Sequence, residues 1–292
     1  MKIAVCVHLY HLDMWGEIES YLKNVEHKYD LYVNFSYETD GKLVKDFDWQ
    51  EYVNLYSDLI KSGKNNYNLA YQHFTKYGIS ENRLYKKSQV EVKHKILNFK
   101  KDTKILLSPN VGVDIGAFLN TYKHVDDDVD LILKIHTKKG LGSKEVPSLD
   151  LIRRGDDFAN THGKQWFHSM MDGVLGGKEK INKIIETFYN NPKTGMVGFR
   201  KYNNFGKNML EMEKLFPILN ITQHPNESFF IGGTIFWVRN EILKKYLPKN
   251  KIDTILNKLP YGYVREPSPN HALERIFGSI VYLENKEINI IK

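Results

Sequence analysis

Apolar residues recur along the chain with two periods, and their alternation predicts strands and helices in turn. Residues 2–10 form a β-branched apolar run of the kind that supplies a buried parallel strand. Residues 13–24 follow as a crossover helix, with Ile18, Tyr21, Leu22 and Val25 at helical spacing. A second strand is expected over 29–35. Further along, 90–99 predicts a helix leading into the short run Ile105-Leu106-Leu107. The stretch 129–135 then places Leu131, Leu133 and Ile135 on one face and Ile132 on the other. Both of these runs read as central strands joined by a helix. Helices are expected over 166–175, 179–189, 208–216 and, more briefly, 270–277. Strands are expected over 194–199, 228–239 and 280–283.

Residues 40–88 break this rhythm. They are rich in Tyr, Asn and Lys and carry helical spacing in two pieces, Trp49-Tyr52-Val53-Tyr56-Leu59 and Leu69-Ala70-His73-Phe74-Tyr77, separated around Gly63 and closed by Gly78. The stretch reads as a small helical hairpin inserted in an α/β domain that spans 1–292. Its aromatic residues suit internal packing better than a sugar platform.

Composition narrows the picture. A chain of 292 residues, 41% hydrophobic and 13% aromatic, can bury a sizeable core. The formal charge of +7 suits an anionic partner, yet the surplus is scattered lysine rather than one arginine-rich face with interleaved aromatics. Nucleic acid is therefore disfavoured against a nucleotide or phosphate substrate. The single cysteine, Cys6, lies in the first apolar run and forms no intramolecular disulfide, which predicts a reducing, cytoplasmic setting. The opening residues read as a strand rather than a signal peptide, and no apolar stretch approaches the roughly 20 residues of a membrane span. The expectation is a soluble protein whose basic surface suits peripheral contact with the inner face of a membrane.

The candidate chemistry gathers at strand ends. The strand at 129–135 runs into His136-Thr137-Lys138-Lys139, and ligands of open α/β sheets bind at carboxyl ends of strands, so this cationic tip predicts a phosphate site. The bland alternative is a solvated Lys-Lys turn. His8 and His11 lie near the end of the first strand, where a lone histidine is more often structural. Asp114, between Gly112 and Gly116, reads two ways: as a helix cap, or as an acceptor for a ribose or sugar hydroxyl. The run Asp126-Asp127-Asp128 precedes its strand and reads as a solvated turn. Gly232, Gly233 and Thr234 leave the backbone open to close approach, and Trp237 beyond them is either a pocket wall or core. His271, Glu274 and Arg275 share one helical face.

Taken in order, VCVHLYHLDMWGEI, YDLYVNF, NVGVDIGAFL, LILKIHTKKG, VLGGKEKINKIIETFYNNPKTGMVG, FFIGGTIFWVR and HALERIFG resemble the rhamnan synthesis protein F family of bacterial polysaccharide glycosyltransferases. The hairpin, with Asp58, His73 and 77–83, resembles a helical unit that accompanies glycosyltransferase domains in some bacterial and large-virus proteins. Val111 and Val113 stand where that family usually has arginines, which removes two bidentate anion grips.

The resemblance implies a single nucleotide-sugar-binding, GT-A-like (Rossmann-like) sheet, mostly parallel and flanked by helices. It further implies transfer of rhamnose or another deoxyhexose from a dTDP-, UDP- or GDP-linked donor to a glycan acceptor. Common transferases of that type end the corresponding strand in an Asp-x-Asp pair that holds a divalent cation; here the strand ends in His136, Lys138 and Lys139. The expected site is therefore metal-independent, requiring no cofactor although Mn or Mg is not excluded, with these residues, Asp114, Gly112, Gly116 and His8 holding the donor. Gly232, Gly233, Thr234 and Trp237 are expected to line the acceptor or sugar pocket. Glu274 is expected as the general base of an inverting transfer, with His271 and Arg275 tuning it; the alternative is a Glu-Arg surface pair. A non-catalytic carbohydrate-binding or scaffold protein is the rival function. A Rossmann enzyme unrelated to sugars is disfavoured because no Gly-x-Gly-x-x-Gly follows the first strand.

Overall fold

The apolar run of the N-terminus becomes β1 (Ile3–Leu9), buried at every position and paired in parallel with β2 (Tyr29–Tyr37) on one side and β4 (Leu131–His136) on the other. The computed structural model describes residues 1–139, 163–225 and 228–291. The stretch 140–148, whose Gly, Ser and Pro content predicts a mobile segment folding over a ligand, lies outside them. Among the described residues the main sheet has seven strands in the order β3-β2-β1-β4-β8-β5-β9, with β3 (Lys104–Pro109), β5 (Thr194–Gly198), β8 (Phe236–Arg239) and β9 (Glu287–Asn289) completing it. Only β8 runs against its neighbours, β4 and β5. A second, two-stranded ribbon pairs β6 (Lys201–Tyr202) with β7 (Phe230–Ile231). The architecture is the mostly parallel, helix-flanked α/β sheet expected, and it is consistent with a GT-A-like arrangement.

Alternation along each strand builds two cores, one on each face. On one face Val5, Val7, Leu31, Val33, Leu133 and Ile135 pack under α1 (Trp15–Leu22), α5 (Lys87–Phe99), α7 (Gly163–Leu175) and α8 (Lys178–Asn190). On the other, Ala4, Cys6, Tyr32 and Ile132 meet α6 (Val113–Tyr122), α9 (Met209–Leu215), α10 (Asn240–Tyr246), α11 (Ile252–Leu256) and α12 (Pro269–Leu283).

Four expectations are corrected. β3 is an edge strand rather than a central one; the amide of Leu107 is closed by Asn82 Oδ1 at 2.8 Å instead of by another strand. The segment 228–239 is not one strand but β7, a turn and β8, because a bond from Thr234 N to Ile231 O folds the chain back over Gly232 and Gly233. The strand expected at 280–283 continues α12, whose Ala272, Leu273, Ile276, Phe277, Ile280 and Val281 are all buried at helical spacing; the last strand comes later, as β9. The two-piece hairpin is three short helices, α2 (Trp49–Leu55), α3 (Ser57–Lys61) and α4 (Tyr67–His73), followed by a π-turn over Phe74–Gly78.

That helical unit sits between β2 and β3, and its aromatic residues do pack on one another. Phe47 stacks on Phe74 with ring centroids 4.8 Å apart, and Tyr52 and Tyr85 close on the same pair. Arg83 pairs with Asp58 at 2.8 Å and lies over the Tyr56 ring, so these motif residues hold the unit together.

Candidate functional site

A lysine in the middle of a buried strand is the residue around which the site is built. Lys134 is 1% exposed, between Ile132 and His136 on the face covered by α6. A buried ammonium requires partners. Its Nζ donates to Asp114 Oδ2 at 2.7 Å, to Thr234 Oγ1 at 2.7 Å and to the Thr234 carbonyl at 2.9 Å. The Thr234 hydroxyl donates in turn to Asp114 Oδ2. Burial pushes the Lys134 amine down while Asp114 holds it up. Despite burial, the Lys134 charge and the hydrogen bonds from Lys134 and Thr234 hold the Asp114 carboxyl far below the usual carboxylate range, so it stays ionised.

The backbone is arranged to bring these groups together. Gly112 is the N-cap of α6, in a left-handed conformation, so Asp114 lies in the first turn and does not cap the helix; its carboxylate turns to Lys134 instead. This corrects the capping alternative. Val113 and Thr234 are both β-branched residues at positive φ, +49° and +53°, conformations that cost on the order of 1–3 kcal/mol each. Both adjoin the Asp114 cluster. Gly116 is a packing position: a Cβ there would fall 1.7 Å from the Val111 carbonyl oxygen. Gly233, at φ +79°, donates its N–H to Glu274 Oε1 at 2.7 Å.

Glu274 is therefore no surface pair. Its other oxygen, Oε2, accepts from Arg275 Nη1 at 3.0 Å, and Arg275, 3% exposed, reaches on to Glu266 Oε1 at 2.7 Å. His271 is oriented by Ser268, whose hydroxyl lies 2.7 Å from Nδ1, and the Tyr263 ring meets its imidazole edge-on at 6.1 Å.

The cationic tip divides. The half-buried Lys138 places its amine 3.7 Å from the centroid of the Trp166 ring. Burial lowers its pKa, and the nearby carboxylates of Asp114 and Glu274 counter that. Lys139 is exposed and pairs with Asp13 at 2.5 Å, at the rim. His136 ends β4 buried, Nδ1 lying 3.6 Å from Asp114 Oδ2 without a hydrogen bond, and burial holds its pKa well below the usual range.

His8 is level with His136 and Asn34 across the sheet. Its Nε2 lies 2.9 Å from Ser36 Oγ, while Ser108 donates to Asn34 Oδ1 at 2.9 Å. His8, Asn34, Ser36, Ser108, Lys134 and His136 thus form a polar seam across the carboxyl ends of four parallel strands. Within it His8 Nδ1, Asn34 Nδ2 and His136 Nδ1 are buried without hydrogen-bond partners. Buried polar atoms are usually paired, so these three are exceptions within the fold.

Other expected site residues fall elsewhere. Trp237 is core: it is fully buried on the opposite face of the sheet, and its indole donates to the Val174 carbonyl at 3.1 Å. Gly232 packs against the Tyr202 ring. Asp126 and Asp128 pair with Lys2, and Asp127 with Lys249, at the far end of β4. The sequence reading missed Lys134, Trp166, Glu266 and the Asn34–Ser108 pair. Lys134 alone carried a signal, as a charge inside an apolar strand.

A divalent ion on a diphosphate needs carboxylate oxygens to spare. Asp114 Oδ2 is committed to Lys134 and Thr234, and both oxygens of Glu274 are committed as well. Among the described residues no group of three or more His, Cys, Asp or Glu is arranged to hold a metal. Among the described residues, too, no helix is long and apolar enough to cross a membrane.

No solved structure matches the chain. The uncharacterized protein WxcX of two Xanthomonas campestris pv. campestris strains, B100 and ATCC 33913, is 25% identical over 178 residues, which is 59% of this chain and 23% of the relative. The chain thus spans about a quarter of the length of the curated relatives it matches. The family model described as rhamnan synthesis protein F matches residues 52–286, from within the helical unit to the end of α12 and just beyond. Over most of its length, and including Asp114, Lys134, Lys138, Gly233 and Glu274, the chain belongs to the rhamnan synthesis protein F family.

Proposed function

We propose that the protein works in polysaccharide synthesis as a glycosyltransferase, moving a sugar from a nucleoside diphosphate donor to a hydroxyl of a glycan acceptor. Rhamnose or another deoxyhexose is the proposed sugar, and inversion the proposed outcome. The observation that supports this most is a cation and a carboxylate, Lys138 and Glu274, brought within electrostatic reach of each other from the end of β4 and from α12.

In this scheme the acceptor oxygen attacks the anomeric carbon as the bond to the diphosphate breaks, and the leaving group takes the bonding electrons. Lys138 offsets the charge growing on the diphosphate, so the reaction needs no metal. Glu274, fixed by Gly233 and Arg275, receives the acceptor proton. Asp114, pinned by Lys134, accepts a hydrogen bond from a sugar or ribose hydroxyl. The polar seam of His8, Asn34 and His136 offers its orphaned atoms to the nucleoside.

Thermal shift with dTDP-, UDP- and GDP-sugars, each with and without manganese, tests the donor, since a bound ligand raises apparent stability. One nucleotide sugar should raise Tm without manganese, and Lys138→Ala should abolish that rise and sharply reduce turnover. Retained turnover in Lys138→Ala, or a strict manganese requirement, would sink the scheme. Glycan binding with no donor binding or turnover would favour the scaffold reading instead.

A further inference from the structure

Trp166 sits on the first turns of α7, where it is half-buried. Its ring borders two functional groups at once. The Lys138 amine lies 3.7 Å from its centroid, closer than any other cation–ring approach among the described residues. On the other side, a Cβ added at Gly233 would come within 3.2 Å of Trp166 Cζ2, so the ring also abuts the turn that holds Glu274. Lys138 has no ion pair among the described residues, in contrast to Lys139, which Asp13 holds, and Lys134, which Asp114 holds. A lysine side chain has four rotatable bonds, and a cation meant for a ligand loses affinity if it must first be ordered. An aromatic face orders an ammonium without neutralising it, as a carboxylate would.

We propose that Trp166 is the positioning residue for Lys138, holding its amine beyond the end of β4 as a preformed cation for the diphosphate of the donor. This rests on the donor reading above. Trp166 touches no reacting atom and acts through Lys138. A diphosphate then meets an oriented positive charge whose existing partner is a neutral ring that gives it up readily.

The test measures the affinity of the intact chain for dTDP, UDP and GDP, with thymidine, uridine and guanosine as controls lacking the diphosphate. It compares wild type, Trp166→Leu, Trp166→Phe, Lys138→Met and the double variant Trp166→Leu/Lys138→Met. Trp166→Leu should weaken the nucleoside diphosphate that binds wild type by about 3- to 30-fold, and Trp166→Phe by less, because it keeps a ring. Affinity for the matching nucleoside should not change. The double variant should bind no more weakly than Lys138→Met alone, since the tryptophan has nothing left to position. Wild-type affinity in Trp166→Leu, or losses that add in the double variant, would overturn the inference. If Trp166→Leu does not fold, Trp166→Phe and its double variant with Lys138→Met carry the same comparison. Failure of all three diphosphates to bind wild type would instead remove the donor reading, and this inference with it.

Discussion

Lys134 Nζ lies 2.7 Å from Asp114 Oδ2, joining the middle of a central strand to the first turn of the helix above it. The lysine is 1% exposed and the aspartate side chain 21%, so neither charge has water enough to stand alone. Thr234 completes the junction from the turn before β8. One ion pair thereby joins three elements: β4, the start of α6 and the turn before β8.

Breaking that pair should be expensive. Lys134→Met leaves the Asp114 carboxylate without its main partner, and losing one member of a buried pair costs about 3–5 kcal/mol. Urea unfolding should show a loss of that order, and Lys134→Met/Asp114→Asn should recover a good part of it. A single variant as stable as wild type would mean that the pair does not organise the site.

Glu274→Gln separates chemistry from structure. Glutamine keeps the size, and its carbonyl oxygen can still accept from Gly233 or Arg275, so Tm should fall only slightly. Removal of a general base should reduce the transfer rate by about 100-fold or more. Unchanged turnover would transfer the role elsewhere.

Stability should depend on pH through the buried histidines. Burial brings the His8 pKa down to about 4, against an ordinary value of roughly 6.5 in the unfolded chain. A group depressed in this way is neutral when folded. Its contribution is intact above pH 6.5 and is lost as the pH falls through 6.5 towards 4, where the unfolded chain takes up the proton first. The loss from His8 alone is on the order of 3 kcal/mol, and His136 adds to it in the same direction. His8→Gln should flatten the stability–pH curve between pH 4 and 7; a curve with the wild-type slope would assign the dependence to other groups.

Gly116→Ala tests the packing at the start of α6. An alanine methyl would collide with the Val111 carbonyl oxygen, which belongs to backbone and has nowhere to retreat. Overpacking of this kind costs about 1–3 kcal/mol or more, although alanine normally favours a helix. A lowered Tm would confirm a steric role; a raised one would show that the turn can open.

The period of the apolar pattern was enough to read the order of strands and helices, because β1, β2 and β4 are buried on both faces and α8 carries a clean apolar stripe. It misled where two explanations fit one run. Ile280 to Leu283 is β-branched at its start and reads as a strand in isolation, but it extends the buried face of α12. The short run at 105–107 resembles a central strand, yet edge or centre depends on what packs beside it, which local sequence does not encode. At the site, the residue types at the strand tip were legible while their partners were not. Lys138 and Lys139 are neighbours in sequence, and only the fold sends one towards Trp166 and the other to Asp13. Lys134 was legible as an anomaly, since a charge in LILKI demands a partner at a distance, and Asp114 supplies it.

The side chain of Asn82 that closes β3 also has a protective effect. A bare outer strand exposes a row of amides and carbonyls that a second chain can pair with, and sheets left open in that way associate side by side. By planting an amide from the helical unit on Leu107, the fold denies a foreign strand its foothold. Excising that unit would leave the adjoining border of the sheet sticky, so a shortened chain should come out of size-exclusion chromatography as oligomers or precipitate, even with every cleft residue still in place.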